Sequence, residues 1–172
     1  MVARHERRLP QRLFLILYDN LKGVWLDEGP RSLKGVVDLG GEEPEELDGV
    51  VGHNWYRADS EGDVGLRRSR GKKSWLRLPI RTPADFDAVL RARSETPDQP
   101  VRVTVEVNGT VVGAADLGPE WSEVRFVVPV AALRAGFNDV ALTYSQTPRE
   151  RDPAHQGRDA AVALDWLKLE RR

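Results

Sequence analysis

The stretch VRVTVEVNGTVV, residues 101–112, decides the fold of this chain. Valines alternate with polar side chains from Val101 to Asn108, so one face of the segment is apolar and the other is polar. A period of two is typical of an antiparallel strand with one face in the core. The pair Asn108 and Gly109 follows between two β-rich runs and predicts a tight hairpin, because both turn residues accept a positive φ.

The same period recurs in both directions along the chain. It predicts further strands at Leu76–Ile80, Phe86–Ala92, Val124–Val128, Val140–Tyr144 and Val162–Trp166. We expect the first two of these strands to pair with each other across a proline-containing turn. A single helical turn, closed by Gly136, is predicted between Pro129 and Asn138. Short strands separated by turns predict an all-β chain folded as an antiparallel β-sandwich.

The first 34 residues have a different period. Their apolar side chains fall three and four positions apart, which predicts a short amphipathic helix at Leu9, Leu13, Ile16, Leu17 and Leu21. That helix either packs on the sandwich or docks on a neighbouring domain. We therefore expect a helical lead-in or linker over residues 1–34 and a β-sandwich domain over residues 35–172.

Composition excludes several classes of function. The 172 residues include no cysteine, which excludes disulfide scaffolds, thiolate metal sites and a cysteine nucleophile. The formal net charge of -1 gives no basic excess for nucleic acid. The chain has no apolar run long enough for a secretory signal or a membrane span, so we expect it to be cytoplasmic or part of a larger envelope-associated protein. Its oligomeric state stays open.

Residues 35–169 carry a resemblance to a known family, which is strongest from the Asn108-Gly109 hairpin to Asn138. The run VTVEVNGTVVG is followed by Leu117, Trp121, Val128-Pro129, Leu133, GFN at 136–138 and VAL at 140–142. This pattern resembles the second half of galactose-binding-like jelly-roll domains, and residues 37–79 are similar to the first half. The resemblance implies a jelly-roll sandwich like those of carbohydrate-binding modules, which are found appended to glycan-processing and cell-envelope proteins. It implies a non-catalytic accessory role with a glycan as partner.

A candidate sugar site lies in and after a loop rich in Gly, Asp and Ser. Exposed aromatic rings can stack on sugars while polar side chains bind the hydroxyl groups. The residues that we predict to bind ligand are Trp55, Tyr56, Asp59, Glu61 and Arg68. In the alternative interpretation, Trp55 packs over one end of the sandwich and Glu61 pairs with Arg68.

The small net charge conceals two charged segments. Residues 38–48 include six acids and no base, whereas residues 67–73 include five bases and no acid. The basic segment favours an acidic glycan as the ligand. Alternatively, it is a solvated hairpin or it pairs with the acidic segment.

Catalytic and metal motifs are missing from the sequence. There is no nucleophile elbow, P-loop or His-Glu-x-x-His motif, so we predict no enzyme activity. The three histidines are far apart, which argues against zinc. The acidic segment could supply oxygen ligands to a structural calcium ion, but it lacks an ordered ligand spacing, so we predict no bound metal or cofactor. The long loop from Gln146 to Gly157, which contains His155, is the kind of loop that often carries function.

Two hypotheses therefore emerge from the sequence. The first is a non-catalytic carbohydrate-binding accessory module, with an acidic glycan as one form of it. The second is a structural or protein-interaction β-sandwich domain, part of a larger or oligomeric assembly, that binds no sugar and carries an exposed apolar patch.

Overall fold

The computed structural model describes residues 24–25, 31–32, 35–40 and 50–172. The helix predicted at residues 9–21 lies outside the described residues, and the domain boundary at residue 35 stays a prediction. Within the described part, no helix is both long enough and apolar enough to cross a membrane.

The described residues form strands joined by turns, with little helix. The strands are β1 (Val24–Trp25), β2 (Arg31–Ser32), β3 (Val36–Asp38), β4 (Asp59–Glu61), β5 (Val64–Arg68), β6 (Lys73–Ile80), β7 (Phe86–Ser94), β8 (Val101–Val107), β9 (Thr110–Leu117), β10 (Ser122–Val128), β11 (Gly136–Tyr144) and β12 (Val162–Arg171). A 3₁₀ turn spans Val130–Ala132, and a four-residue helix, α1, spans Pro148–Arg151.

Two antiparallel sheets make the sandwich. The larger sheet has the order β10-β7-β12-β5-β4, and β3 also pairs with β12. The smaller sheet has the order β6-β11-β8-β9. The short strands β1 and β2 form a separate parallel pair. The antiparallel β-sandwich predicted from the sequence is confirmed.

The central hairpin forms as predicted. Asn108 and Gly109 have φ of 49° and 85°, the positive values that this tight turn requires. The valines of β8 are buried while the residues between them are half-buried or exposed. Val105 pairs with Gly113 and Glu106 with Val111, so Val112 is an extra residue that bulges β9.

Two local predictions are wrong. The strand ending at Ile80 does not pair with the one beginning at Phe86, because the link between them crosses from the smaller sheet to the larger one. Gly136 does not end the helical turn; with φ of 95° it begins β11 instead. The turn itself is a 3₁₀ turn that stops at Leu133.

Strand direction defines two ends of the sandwich. Ser94 pairs with Val162 and leads into the link toward Val101, so these residues share one end, which we call the cleft end. Asn108 and Asn138 lie at the opposite end, which we call the amide end, and Asn138 is fully buried. Its Oδ1 accepts from Asn108 Nδ2 and from the Arg134 amide, both at 2.8 Å. Its Nδ2 donates to the carbonyls of Arg134 and Gly136 at 2.9 and 3.0 Å.

Candidate functional site

A cleft of about 710 Å³ opens at the cleft end of the sandwich. Its walls come from β4 and β5, from the link after β7, and from the long segment that carries α1. The residues that line it are Asp59, Arg68, Glu95, Thr96, Pro97, Pro148, Arg151, Asp152, His155, Gly157, Arg158 and Ala160. The volume falls in the range usual for small-molecule sites.

Arg68 is the centre of the cleft floor. Its Nη1 donates to Asp59 Oδ2 at 2.7 Å and its Nε donates to Glu95 Oε2 at 2.7 Å, while Nη2 donates to Glu61. The Arg68 side chain is only 12% exposed. All three guanidinium nitrogens therefore hold carboxylates, and this side chain is fixed in position.

Two further arginines complete an ionic network around Arg68. Arg93 Nη2 pairs with Glu61 at 2.6 Å and with Glu95 at 3.1 Å. Arg158 Nη1 pairs with Asp59 Oδ2 at 2.9 Å. Three cations thus meet three anions, and we call this set of six the Arg68 network. Its members are Asp59, Glu61, Arg68, Arg93, Glu95 and Arg158.

The network shifts the pKa of two of its members. Burial lowers the pKa of Arg68, but the hydrogen bond and charge of Glu95, with the charges of Glu61 and Asp59, outweigh it, so the pKa lies above its usual value. The hydrogen bond from Arg158 and the Ser60 amide hold the pKa of Asp59 below its usual value. The network therefore favours the charged form of both groups.

Strand register explains why the long arginine side chains meet. Ala163 of β12 pairs with Arg68 on one side and with Arg93 on the other. Paired residues of an antiparallel sheet share a face, so the three side chains form one row across the larger sheet. Because Ala163 is small and fully buried, it leaves room for the guanidinium groups and their carboxylates above it.

The long segment before β12 is tied to the body of the sandwich. Thr147 and Glu150 form a capping box that starts α1, and Glu150 accepts from Lys72 Nζ at 2.8 Å. The Asp159 carbonyl accepts from the Gly71 amide at 2.9 Å, and its carboxylate accepts from the Arg149 amide at 3.0 Å. This wall of the cleft is therefore anchored to the basic segment.

The structure separates the two predicted aromatic residues from the cleft floor. Trp55 packs against the core, and its Nε1 donates to the Trp75 carbonyl at 2.8 Å. Tyr56 borders the cleft, with its hydroxyl accepting from the Asp159 amide at 3.2 Å. The guanidinium groups of Arg158 and Arg70 lie 5.6 and 6.0 Å from its ring. The other three predicted residues, Asp59, Glu61 and Arg68, are brought together.

The basic segment is not a hairpin, because it joins β5 of the larger sheet to β6 of the smaller one. Its cations are engaged: Arg67 donates to the Leu39 carbonyl, Lys72 pairs with Glu150, and Lys73 pairs with Glu106. Carboxylates outside the acidic segment therefore hold Arg68, Lys72 and Lys73. Residues 41–48 of the acidic segment lie outside the described residues.

Several residues of the site were not predicted from the sequence. The network also includes Arg93, Glu95 and Arg158, which are far from Arg68 in sequence. The only local signal for any of them is the alternating burial of β7, which places Arg93 on its less buried face. Trp121, one of the residues that carry the resemblance, lies just before β10. Its half-buried ring lies 5.1 Å from the Arg93 guanidinium and 5.4 Å from that of Arg91. Trp121 therefore borders the network at Arg93, whereas Tyr56 borders it at Arg158.

The expectation that no metal or cofactor is bound stays a prediction. Within residues 35–40 and 50–172, no group of three or more His, Asp or Glu side chains is arranged to hold an ion. The carboxylates of Asp59, Glu61 and Glu95 bond to the Arg68 guanidinium, which balances part of their charge. The calcium hypothesis rests mainly on residues 41–48, and nothing in the described part tests it.

No family model and no curated protein matches the sequence. Among solved structures, the chain is similar to the C-terminal CBM6 of LamC, a marine laminarinase from Zobellia galactanivorans, at 13% identity and a TM-score of 0.49, covering 79% of this chain and 99% of that one. It is similar to a family 35 carbohydrate-binding module from Clostridium thermocellum at 13% identity and a TM-score of 0.48, covering 80% and 98%. It is also similar to a β-1,3-glucan-binding CBM6 from Bacillus halodurans at 16% identity and a TM-score of 0.46, covering 78% and 94%. At these identities the likeness concerns the fold alone.

Proposed function

We propose that this chain is a non-catalytic carbohydrate-binding accessory module whose site is the cleft above the Arg68 network. The observation that carries the proposal is a cleft of about 710 Å³ with a floor of paired guanidinium and carboxylate groups. Sugar hydroxyl groups both donate and accept hydrogen bonds. A rigid floor that offers donors and acceptors side by side suits such a ligand.

The rigidity of the floor supports binding. The Arg68 guanidinium bonds to three carboxylates, and each of those carboxylates also bonds to a second arginine. Ordering of side chains on binding costs free energy, and these side chains are ordered before the ligand arrives. Carboxylate oxygens keep further lone pairs that can accept from sugar hydroxyl groups.

The same network argues against glycoside hydrolysis in this cleft. Hydrolysis requires one carboxylic acid with a raised pKa, to protonate the leaving oxygen, beside a second carboxylate. The pKa of Asp59 is lowered instead, chiefly by its hydrogen bond from Arg158. Glu61 and Glu95 are each held by two guanidinium groups. In the described part of the cleft, we therefore assign no catalytic acid.

A binding assay on matched variants tests the proposal. We expect the protein to bind at least one oligosaccharide in a panel of neutral and acidic glycans, measured by calorimetry at up to millimolar sugar. Glu95→Gln, which weakens the hold on Arg68 and Arg93 at the cleft floor, should reduce the affinity strongly. Asp116→Asn, which loses an exposed ion pair with Arg102 outside the cleft lining, is the control and should bind as wild type. Absence of binding across the panel, or equal loss in both variants, would contradict the proposal.

One observation favours the rival role as an interaction domain. Within the described residues, the exposed large apolar side chains are Val111, Val127 and Val130, at 59%, 37% and 46% exposure. They lie on β9, on β10 and just after β10, where the edges of the two sheets meet. Exposed apolar patches often mark protein contacts. A solution mass above 19.3 kDa that returns to the monomer in Val111→Ser would favour this role.

A further inference from the structure

The described lining of the cleft contains no Trp, Tyr or Phe side chain. The neighbouring Tyr56 ring is flanked by the guanidinium groups of Arg70 and Arg158, so these cations compete with a sugar for its faces. Stacking therefore contributes little inside this cleft, and the selection of a ligand there rests on charge and hydrogen bonds.

The charges of the lining differ in how firmly they are held. Three of the lining residues are arginines and three are acids. Arg68 is 12% exposed and bonded to three carboxylates, so replacing any of these carboxylates by a ligand would cost free energy. Asp59 and Glu95 are in turn each bonded to two guanidinium groups. These three residues therefore form a rigid floor, and we do not expect them to change partners when a ligand binds.

The other two arginines are available to a ligand. Arg158 has a 53% exposed side chain and a single carboxylate partner, Asp59, and exposed pairs of this kind exchange easily. Among the described residues, no hydrogen bond or ion pair engages the Arg151 side chain, although its neighbour Asp152 also lines the cleft. The Asp152 carboxylate instead accepts a hydrogen bond from the Ala154 amide at 2.9 Å, within the turn that follows α1.

A buried hydroxyl supplies a separate observation at the same cleft. Thr96 lines the cleft and is 5% exposed, and within the described residues its Oγ1 has no hydrogen-bond partner. Buried polar groups of native proteins are usually satisfied, and one that lacks a partner calls for an explanation such as an absent ligand or water. The cleft lining thus includes two guanidinium groups available to a ligand and Thr96, whose hydroxyl has no hydrogen-bond partner among the described residues.

We infer, building on the proposed function, that the cleft selects a saccharide that carries a carboxylate, a uronic acid, and that Arg151 and Arg158 bind this carboxylate. A planar guanidinium matches a carboxylate in geometry and holds it by charge-assisted hydrogen bonds. Asp59 keeps its bond to Arg68 when Arg158 turns to the ligand, so the floor stays in place.

Uronic-acid oligomers and their methyl esters provide matched probes, because the ester keeps the sugar and removes only the charge. We expect the protein to bind trigalacturonate or trimannuronate roughly tenfold or more tightly than the corresponding methyl ester, as measured by calorimetry at low salt. Arg151→Gln should bring the affinity for the acid close to that for the ester, because one of the two guanidinium partners of the carboxylate is lost. Arg149→Gln, on the same helix but outside the cleft lining, is the control and should keep the difference.

The outcomes separate this inference from the function on which it rests. Equal affinity for acid and ester, or an Arg149→Gln variant as impaired as Arg151→Gln, would overturn the inference and leave carbohydrate binding intact. Failure to bind the acids, the esters and neutral gluco-oligosaccharides alike would overturn both. Loss of the acid preference in Arg151→Gln alone, together with weaker acid binding at high salt, supports the inference.

Discussion

The two ends of this sandwich use different chemistry to satisfy their polar groups. At the amide end, the neutral side chains of Asn108 and Asn138 bond to each other and to backbone groups, and Asn138 is fully buried. At the cleft end, the Arg68 network joins six charged side chains, and part of it faces the cleft. The polar groups of Asn138 are already hydrogen-bonded within the protein. At the cleft end, by contrast, charged side chains such as Arg158 are exposed to solvent.

We interpret the amide end as a structural network and the cleft end as the proposed binding site. A buried neutral network depends little on pH or salt, and every lost partner leaves a polar group unsatisfied. An ionic network at a cleft responds to both conditions, and its outer members can change partners. We therefore expect substitutions at the amide end to act on folding and substitutions at the cleft end to act mainly on binding.

The largest expected effect is that of Asn138→Ala. This change removes the acceptor of Asn108 Nδ2 and of the Arg134 amide, and the donor to two carbonyl groups. Because the site is fully buried, water cannot easily replace these bonds. We expect a loss of about 3 kcal/mol or more in the free energy of unfolding, measured by urea denaturation. A loss below about 1 kcal/mol would show that the amide end is not the structural network we describe.

A smaller loss of stability is expected for Arg68→Met. Methionine retains the apolar stem but leaves three carboxylates with fewer cations among them. The network is partly exposed, so water and salt screen the repulsion, and we expect a loss of about 2 kcal/mol at neutral pH. Protonation of the carboxylates in acid should reduce the difference from wild type. Urea denaturation of both proteins at neutral and acidic pH measures this, and a pH-independent difference would argue against the ionic account.

The smallest expected effect concerns the acid limb of the stability curve. The folded-state pKa of Asp59 is lowered, chiefly by Arg158, so this group stabilises the fold above its unfolded pKa of about 4. That contribution is lost as the pH falls through the lower folded value. We expect Asp59→Asn to flatten the stability curve below about pH 4, and to lower stability between about pH 5 and pH 7 by an amount that does not depend on pH. Asp116→Asn serves as the control, and an unchanged acid limb in Asp59→Asn would contradict the assignment.

The hairpin could be predicted from the sequence because its signals are local. The alternation of β8 and the turn at Asn108 and Gly109 lie within ten consecutive residues, and both formed as expected. The pairing of the strands at Ile80 and Phe86 failed for the opposite reason. Adjacency in sequence favours pairing, but residues 81–85 carry the chain from the smaller sheet to the larger one, and no local signal predicts such a crossing.

Part of the site could be predicted from the sequence. Glu61 and Arg68 are seven residues apart, on neighbouring strands, and their pairing was one of the two predicted alternatives. Glu95 lies 27 residues from Arg68, and Arg158 lies 99 residues from Asp59, so only the assembled sheet brings them together. Trp55 was predicted to stack on a sugar because it lies in a polar loop, but its ring packs against the hydrophobic core.

The central claim is that the cleft end binds a carbohydrate and the amide end does not. Titration of the ¹⁵N-labelled protein with the tightest-binding oligosaccharide, followed by NMR, tests this claim most directly. We predict that the amide signals of Thr96 and His155 and the guanidinium signals of Arg68 and Arg158 shift with the ligand, while the side-chain amides of Asn108 and Asn138 stay in place. Shifts confined to the amide end or to Val111 and Val127, or an absence of shifts with every glycan, would contradict it.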